Sequence, residues 1–274
     1  MPTLQVNGAE IDYDDTGTGA ETIVFAHGLL FDRRIFDPQI EALRESYRCV
    51  AFDFRGQGRS EITRSGYDIE TLAGDAAALI EALGAAPCHF VGLSMGGFVG
   101  LRLAIRRPPL LRSLVLLDSS ADAERRLDRL RHGLLAVVAR WFGLRPVVRP
   151  VLRIMFGEKV LNDPLRRARW RERILANDRI GASRAVGGVL SRSSVVDRLD
   201  AIDVPTLIVV GDRDRATPPS HSRRMHAAIR GSHLVVLPGV GHMSALEDPS
   251  AVTDVLRAFL ASVKRGTPQP AASG

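Results

Sequence analysis

The chain has 274 residues, of which 45% are hydrophobic and 25% are charged, values typical of a soluble globular protein with one large domain. No apolar run reaches about 18 residues, and the first residues lack the basic and apolar regions of a secretory signal. Two cysteines, Cys49 and Cys88, are too few for a disulfide framework, so we expect a cytoplasmic protein with no membrane partner.

The positive charge of the chain is concentrated in one segment. The formal net charge is +6, and 35 of the 37 basic residues are arginine. Residues 121–200 contain 17 arginines and one lysine against nine acidic residues. These arginines either form a solvated surface or attract an anionic substrate or surface. No basic motif interleaved with aromatic residues is present, so we do not expect a nucleic-acid partner.

Strand and helix patterns alternate along most of the chain. Residues 4–6 and 11–13 flank Asn7-Gly8, a pair favoured in two-residue hairpin turns. Residues 22–26 form a short apolar run, as in a strand buried on both faces. Similar patterns predict strands over residues 48–52, 89–93, 114–117, 204–210 and 233–237, and helices over residues 38–44, 69–83, 97–106, 220–229 and 249–261. This alternation predicts an α/β fold, with a mostly parallel central sheet covered by helices on both faces.

The pattern changes after Ser120. Residues 121–200 contain helical runs interrupted by glycine and proline and no clear strand, which predicts a helical cap inserted over the site. Within this cap, Trp141 and Phe142 are expected to pack a helix against the core. The chain is thereby predicted to divide into a first part of the core (1–120), the cap (121–200), a second part of the core (201–265) and a flexible tail (266–274).

A serine lies at the junction between a predicted strand and the helix after it. The segment Gly92-Leu93-Ser94-Met95-Gly96 fits the Gly-x-Ser-x-Gly pattern of a nucleophile elbow. A serine at so sharp a turn has a strained backbone, and side chains two positions before and after it would collide, so glycine is needed at both. The turn exposes the hydroxyl at a helix N-terminus, where the helix dipole favours developing negative charge.

Polar residues follow several of the predicted strands, and in open parallel sheets sites form beyond these carboxyl ends. A nucleophilic serine needs a base, and the base needs an acid that orients it. His242, in a glycine-rich loop after the last strand, is the best candidate for the base. Asp214 is the preferred acid, and Asp118 and Asp212, which also follow strands, are alternatives.

In their order and spacing, these segments resemble the serine branch of the α/β-hydrolase superfamily over residues 3–263. The landmarks are His27-Gly28, Asp53-x-Arg55-Gly56-x-Gly58-x-Ser60, Gly92-Leu93-Ser94-Met95-Gly96-Gly97, Gly211-x-x-Asp214 and Gly241-His242. The resemblance implies the α/β-hydrolase fold, with Ser94 as nucleophile, Asp214 as acid and His242 as base. It also implies an oxyanion hole formed by the backbone amides of Leu29 and Met95.

The same resemblance assigns structural roles and excludes some chemistries. His27, followed by Gly28, holds the loop that aims the Leu29 amide and is not a second base. The implied mechanism requires no metal and no organic cofactor. His221 and His226 are five residues apart, which is not the spacing of a helical zinc pair. Haloalkane dehalogenases and epoxide hydrolases carry an aspartate at the elbow, so the serine argues against both classes.

Within the superfamily, residues 68–75, the elbow and residues 204–211 are similar to 3-oxoadipate enol-lactonases and related esterases. The implied substrate is a small-molecule carboxylic ester or lactone, cleaved through an acyl-enzyme, and a carboxylate-bearing substrate would suit the basic cap. A serine C–C bond hydrolase and a cofactor-free perhydrolase, in which peroxide replaces water, are alternatives. A hydrolase-fold receptor or binding protein is the alternative without enzymatic activity.

Overall fold

The fold is built on one eight-stranded sheet, seen in a computed structural model that describes residues 2–264. The strands are β1 (Thr3–Val6), β2 (Ala9–Asp15), β3 (Thr22–Ala26), β4 (Arg48–Phe52), β5 (Cys88–Leu93), β6 (Leu111–Leu117), β7 (Thr206–Gly211) and β8 (His233–Leu237). Their spatial order is β1-β2-β4-β3-β5-β6-β7-β8. β3 to β8 run parallel, whereas β1 and β2 form the predicted antiparallel hairpin, with positive φ at Asn7 and Gly8. The predicted fold class is confirmed, and the predicted tail at 266–274 lies outside the described residues.

Helices follow most of the strands. The α-helices are α1 (Asp37–Leu43), α2 (Ile69–Ala82), α3 (Met95–Arg106), α4 (Arg126–Phe142), α5 (Val148–Met155), α6 (Glu158–Leu161), α7 (Pro164–Leu175), α8 (Arg179–Leu190), α9 (Pro219–Ala228), α10 (Ser244–Glu247) and α11 (Pro249–Lys264). Short 3-10 helices span Arg33–Phe36, Pro108–Leu110 and Val196–Ala201. None of the helices within residues 2–264 is long and apolar enough to cross a membrane.

Alternate residues of the central strands contribute to two separate hydrophobic cores. On β3, Ile23 and Phe25 belong to the core that includes side chains of α1 and α11. Val24 and Ala26 point to the opposite face and belong to the core formed with α2 and α3. Because strands buried on both faces have no solvent-facing side, their carboxyl ends at one edge of the sheet are left to form a site.

Residues 121–200, called the cap segment below, contain α4 to α8 and no strand. The two ends of this segment meet, since the Val195 amide donates to the Ala121 carbonyl oxygen at 2.9 Å. The prediction that Trp141 and Phe142 pack against the core is wrong, because their exposed fractions are 70% and 77%. The opposite face of α4 packs on α8 instead. The division of the chain into core and cap stays a prediction.

A glycine pair in α8 offers a direct test of how the cap segment contacts the rest of the chain. A Cβ added at Gly188 would lie 1.7 Å from the Tyr67 carbonyl oxygen, whereas one added at Gly187 meets nothing within 4 Å. We expect Gly188→Ala to lower the free energy of unfolding by about 3 kcal/mol. The new methyl group would meet the backbone of Tyr67, which cannot move aside as a side chain can by changing its rotamer. The matched variant Gly187→Ala should raise the free energy of unfolding by about 0.5–1 kcal/mol. Urea denaturation measures both, and equal effects would contradict this packing.

Candidate active site

The sharp turn between β5 and α3 holds Ser94. Leu93 ends the strand and Met95 begins the helix, which leaves Ser94 alone at the turn with φ 51°. A Cβ at Gly92 would lie 2.3 Å from the Gly96 carbonyl oxygen, and one at Gly96 would lie 2.0 Å from the Ala26 carbonyl oxygen. Neither position has room for a side chain, because the backbone atoms opposite it are too close.

Three side chains from separate parts of the chain meet at this turn. His242 Nε2 lies 2.8 Å from Ser94 Oγ, and His242 Nδ1 lies 2.9 and 3.0 Å from the two carboxylate oxygens of Asp214. All three residues are buried, with exposed fractions of 8% or less. The spacing is that of a nucleophile hydrogen-bonded to a base, which is in turn oriented by an acid.

Asp214 is itself held in place by its own loop. Asp214 Oδ1 accepts hydrogen bonds from the amides of Ala216 and Thr217, at 2.8 and 2.9 Å, and Oδ2 accepts one from Thr217 Oγ1 at 2.8 Å. Burial lowers the pKa of His242, but Asp214, through its charge and its hydrogen bond, raises it together with the charges of Asp118 and Glu247, so the net shift is above the usual 6.5. The imidazole is thus poised to accept a proton.

The two alternative acids have other partners. Asp118 is fully buried, and its oxygens accept hydrogen bonds from the amides of Gly211 and Ser244, at 3.0 and 2.8 Å. Burial, reinforced by the nearby Asp214 carboxylate, raises the pKa of Asp118 to about 8. Asp212 accepts a hydrogen bond from the Gly239 amide at 2.7 Å. Both aspartates connect loops around the site, and His242 hydrogen-bonds to Asp214 rather than to either.

The loop after β3 brings a second backbone segment to the serine. A Cβ at Gly28 would lie 2.8 Å from Leu93 Cδ2 and 3.5 Å from Ser94 Cβ, so the loop packs directly against the turn that holds the serine. His27 fixes the loop, because its Nδ1 bonds the Gly28 carbonyl at 2.8 Å and its Nε2 accepts from the Phe54 amide at 3.0 Å. Burial lowers the pKa of His27, which keeps the ring neutral. Both ring nitrogens of His27 are thus occupied by backbone groups, and the structural role of His27 stays a prediction.

Two backbone amides at the turn are free to donate. Within residues 2–264 the Leu29 amide has no hydrogen-bond acceptor, and Leu29 lines the pocket together with Ser94. Met95 is the first residue of α3, so its amide has no acceptor within the helix. The neighbouring Leu30 amide donates to Gln57 Oε1 at 2.8 Å, which fixes the loop in this orientation. This arrangement resembles an oxyanion hole.

A small apolar pocket of about 120 Å³ opens beside Ser94 and His242. Apolar side chains of the cap segment form most of its wall, among them Leu135, Ala139, Leu144, Val147, Val151, Met155, Val186 and Val189. The polar residues that the cap segment contributes to the wall include Glu124, His132 and Arg192. Arg192 Nη1 donates to Glu124 Oε2 at 2.6 Å, and His132 Nδ1 lies 3.3 Å from Glu124 Oε1. Arg192 is therefore neutralised within the pocket.

The family model described as alpha/beta hydrolase fold matches residues 21–249. The chain belongs to the α/β-hydrolase family. The predictions of this superfamily and of a hydrolase enzyme are thereby confirmed.

Relatives of this α/β hydrolase include proteins with different named activities. BpoC of Mycobacterium tuberculosis, described as a candidate non-heme bromoperoxidase, is 33% identical, with 92% of this chain and 98% of BpoC covered. A thermophilic esterase of Thermogutta terrifontis has a TM-score of 0.90 and 28% identity, with 96% and 99% of the chains covered. An enol-lactonase of Burkholderia xenovorans has a TM-score of 0.88 and 30% identity, with 95% and 100% covered.

Several residues of the hydrolase site were not singled out from the sequence. The contact of Thr217 with Asp214 could have been predicted from their spacing. Thr217 lies three residues after Asp214, in a turn where an aspartate side-chain oxygen commonly accepts a backbone hydrogen bond. Gln57 lies in the glycine-rich loop after β4, but nothing in the sequence indicates that it reaches Leu30. Glu124 and Arg192 meet across 68 residues, which no local pattern reveals. Within residues 2–264, no group of His, Cys, Asp or Glu side chains could hold a metal ion.

Proposed function

We propose that this α/β hydrolase cleaves carboxylic esters of short apolar acyl groups through an acyl-enzyme. The observation that carries the proposal is the continuous hydrogen-bonded series from Ser94 Oγ through His242 to Asp214, at 2.8 and 2.9 Å, beside an apolar pocket. Ser94 is the nucleophile, His242 the base and Asp214 the acid that orients the base.

The first half of the reaction forms the acyl-enzyme. His242 Nε2 accepts the hydroxyl proton while Ser94 Oγ attacks the ester carbonyl carbon. The carbonyl oxygen becomes an oxyanion that accepts hydrogen bonds from the amides of Leu29 and Met95, each worth about 3 kcal/mol of barrier in comparable enzymes. The carbon–oxygen bond to the leaving group then breaks, and His242 gives its proton to the departing oxygen.

The second half repeats these steps with water. His242 removes a proton from the water as its oxygen attacks the acyl carbon, and the proton then passes to Ser94 Oγ as the acid departs. Asp214 holds the Nδ1–H tautomer and stabilises the imidazolium at both stages. The net reaction converts one ester and one water to an acid and an alcohol.

The pocket wall supports a neutral acyl group rather than a carboxylate-bearing one. A cavity of about 150 Å³ accommodates benzene, so the 120 Å³ pocket suits an acyl group of about five carbon atoms or fewer. Arg192 is the one arginine of residues 121–200 in the wall, and its ion pair with Glu124 leaves it no free charge for a substrate carboxylate. The proposed substrate therefore matches the activity named for the esterase relative better than that named for the enol-lactonase relative.

A series of p-nitrophenyl esters tests the proposed acyl group. We expect kcat/KM to be highest for acyl chains of about two to five carbons and to fall by about tenfold or more for the decanoate, which exceeds the pocket. Steady-state kinetics on the series, with the succinate half-ester as the anionic comparison, gives the result. A preference for the succinate or for the long chains would contradict the proposal.

The pKa shift of His242 predicts how the rate depends on pH. The base must be neutral to accept the serine proton, and the net shift of its pKa is upward from 6.5. We therefore expect kcat/KM to be constant at alkaline pH and to fall about tenfold per pH unit on the acidic side, with a midpoint above about 6.5. A pH–rate profile on p-nitrophenyl acetate measures the midpoint. A midpoint well below 6.5 would mean that Asp214 does not stabilise the imidazolium.

The similarity to BpoC favours a second reaction at the same acyl-enzyme. In that reaction hydrogen peroxide replaces water, its oxygen attacks the acyl carbon, and a peracid departs while His242 returns the proton to Ser94. Peracid oxidises bromide, so bromination of an added acceptor in the presence of ester and peroxide reports the reaction. Bromination that persists in Ser94→Ala would exclude this route.

A further inference from the structure

Two recesses open next to the acyl pocket on the surface of the cap segment. The first, called the vestibule below, has a volume of about 450 Å³ and is lined by Glu124, Arg125, Arg131, Arg153, Arg215 and Pro218, among others. The second, called the groove, has a volume of about 910 Å³ and is lined by Arg149, Arg153, Arg167, Arg171, Arg215 and Glu158, among others. Each is several times larger than the 120 Å³ acyl pocket.

The vestibule lies between the acyl pocket and the groove and shares wall residues with each. The acyl pocket and the vestibule share Glu124, Arg192 and Ala216 in their walls. The vestibule and the groove share Arg153 and Arg215. The three spaces therefore lie side by side, and a substrate longer than the acyl pocket has the vestibule and then the groove next to it.

The unpaired arginines lie in the groove, whereas the vestibule also contains Asp128 and Glu124, which pairs with Arg192. Arg149, Arg153, Arg167, Arg171 and Arg215 line the groove with one acidic residue, and none of them forms an ion pair with a side chain of residues 2–264. A third recess, which lies over the loop after β4, shows the contrast. There Arg33 and Arg173 pair with aspartates. The groove is thus a cluster of like charges that an anionic ligand would stabilise.

The leaving group has to lie outside the acyl pocket. His242 Nε2 donates the proton to the leaving group, and the 120 Å³ pocket beside Ser94 and His242 has room for little more than the acyl group. The vestibule adjoins this pocket, since Ala216 and Ile154 line both spaces. The large basic recesses therefore receive the leaving group, and the small apolar pocket receives the acyl group.

We propose that the vestibule and the groove bind a leaving group that carries two or more phosphate groups. The preferred substrate would be a short-chain acyl ester or thioester of a phosphorylated alcohol or thiol, an inference that rests on the proposed acyl-enzyme function. Guanidinium groups bind phosphate oxygens in a bidentate manner, and two connected recesses provide space for more than one phosphate.

Two thioesters with the same acetyl group test the proposal. Acetyl-coenzyme A carries phosphates on its leaving group, and S-acetyl-N-acetylcysteamine has the same thiol terminus without them. We expect kcat/KM to favour acetyl-coenzyme A by at least about tenfold at about 10 mM salt, where the Debye length is about 30 Å. The advantage should disappear at about 1 M salt, where the Debye length is about 3 Å.

Matched variants separate local binding from net charge. Arg149→Ala with Arg153→Ala removes two unpaired arginines of the groove and should lower the ratio of the two kcat/KM values by at least about fivefold. Arg198→Ala with Arg223→Ala removes the same charge from exposed positions outside both recesses. This second pair should leave the ratio unchanged.

The possible results distinguish failure of the inference from failure of the proposed function. If p-nitrophenyl acetate is cleaved but the two thioesters are cleaved equally well, the phosphate site is wrong and the esterase proposal stands. If no ester or thioester is cleaved, the proposed function is wrong. Calorimetric titration of the protein with inorganic tripolyphosphate then decides the inference, since absent binding overturns it. Equally tight binding of citrate would overturn the assignment to phosphate.

Discussion

Ser94→Ala is expected to reduce kcat for ester hydrolysis by about 10⁶-fold while leaving the fold intact. The variant removes the atom that attacks the carbonyl, and water bound in its place lacks both its position and its nucleophilicity. The residual rate should come from the oxyanion donors and from substrate binding alone. Steady-state kinetics on p-nitrophenyl acetate measures the loss.

Ser119→Ala is the matched control for this prediction. Ser119 is also buried, and its hydroxyl donates to the Ser94 carbonyl oxygen at 3.0 Å, whereas the side-chain hydrogen bonds of His242 go to Ser94, Asp214 and Thr217. We expect Ser119→Ala to lower kcat by less than about tenfold, because one neutral hydrogen bond is worth about 1 kcal/mol. A fluorophosphonate reagent should add its mass to the wild type and to Ser119→Ala and not to Ser94→Ala. Activity of Ser94→Ala above about one hundredth of the wild type would mean that another group is the nucleophile.

The core fold could be predicted because its signals are local. Each central strand is a short apolar run, and the two cores on either side of the sheet follow from the alternation of side chains along it. Strand β8 (His233–Leu237) has its predicted bounds, and α3 begins at Met95, two residues earlier than predicted. The start of α3 is harder to predict than the bounds of β8, because the first turn of this helix belongs to the elbow and contains no apolar repeat of its own.

The sequence favoured Asp214 as the acid but could not exclude Asp118 and Asp212. Asp118, Asp212 and Asp214 all follow strands that end at the same edge of the sheet. What separates them is the direction of each side chain, which depends on backbone conformation and on distant loops. Asp118 has φ 47° and bonds Ser244, which is 126 residues away. Such contacts depend on how the loops fold, and they produce no periodic pattern in the sequence.

The cap segment was the least predictable part because α4 has apolar side chains on both faces. Leu135 and Ala139 line the acyl pocket, whereas Leu130, Leu134 and Trp141 are exposed. Periodicity detects one apolar stripe and assigns it to the core, so it cannot identify which of two stripes is buried. The direction of the arginines is hidden for the same reason, since composition gives their number and not their position.

Asp214→Asn is expected to lower kcat by about 10⁴-fold. The amide is nearly isosteric with the carboxylate, but it cannot stabilise the imidazolium by charge. Its NH₂ group would also face His242 Nδ1, favouring the tautomer in which Nε2 carries the proton and cannot accept one from Ser94. The acidic limb of the pH–rate profile should move to lower pH, because the Asp214 carboxylate raises the pKa of His242.

Asp118→Asn provides the contrasting variant. Both carboxyl oxygens of Asp118 accept backbone amides, from Gly211 and Ser244. An asparagine offers one oxygen, so one of these buried amides would face an NH₂ group, at a cost of about 1–3 kcal/mol in the free energy of unfolding. We expect Asp118→Asn to lower Tm clearly and kcat by less than about tenfold, with the acidic limb of the profile retained.

Measuring Tm and the pH–rate profile for both variants separates the two roles. An acid that orients the base changes kcat and the midpoint of the profile while leaving Tm nearly unchanged, whereas a residue that connects loops changes Tm first. The opposite pattern, with the large kinetic loss in Asp118→Asn, would assign the acid to β6 and make Asp214 the structural residue. In that case His242 would have to turn toward Asp118 when substrate binds, since its Nδ1 bonds Asp214 at 2.9 Å in the free protein.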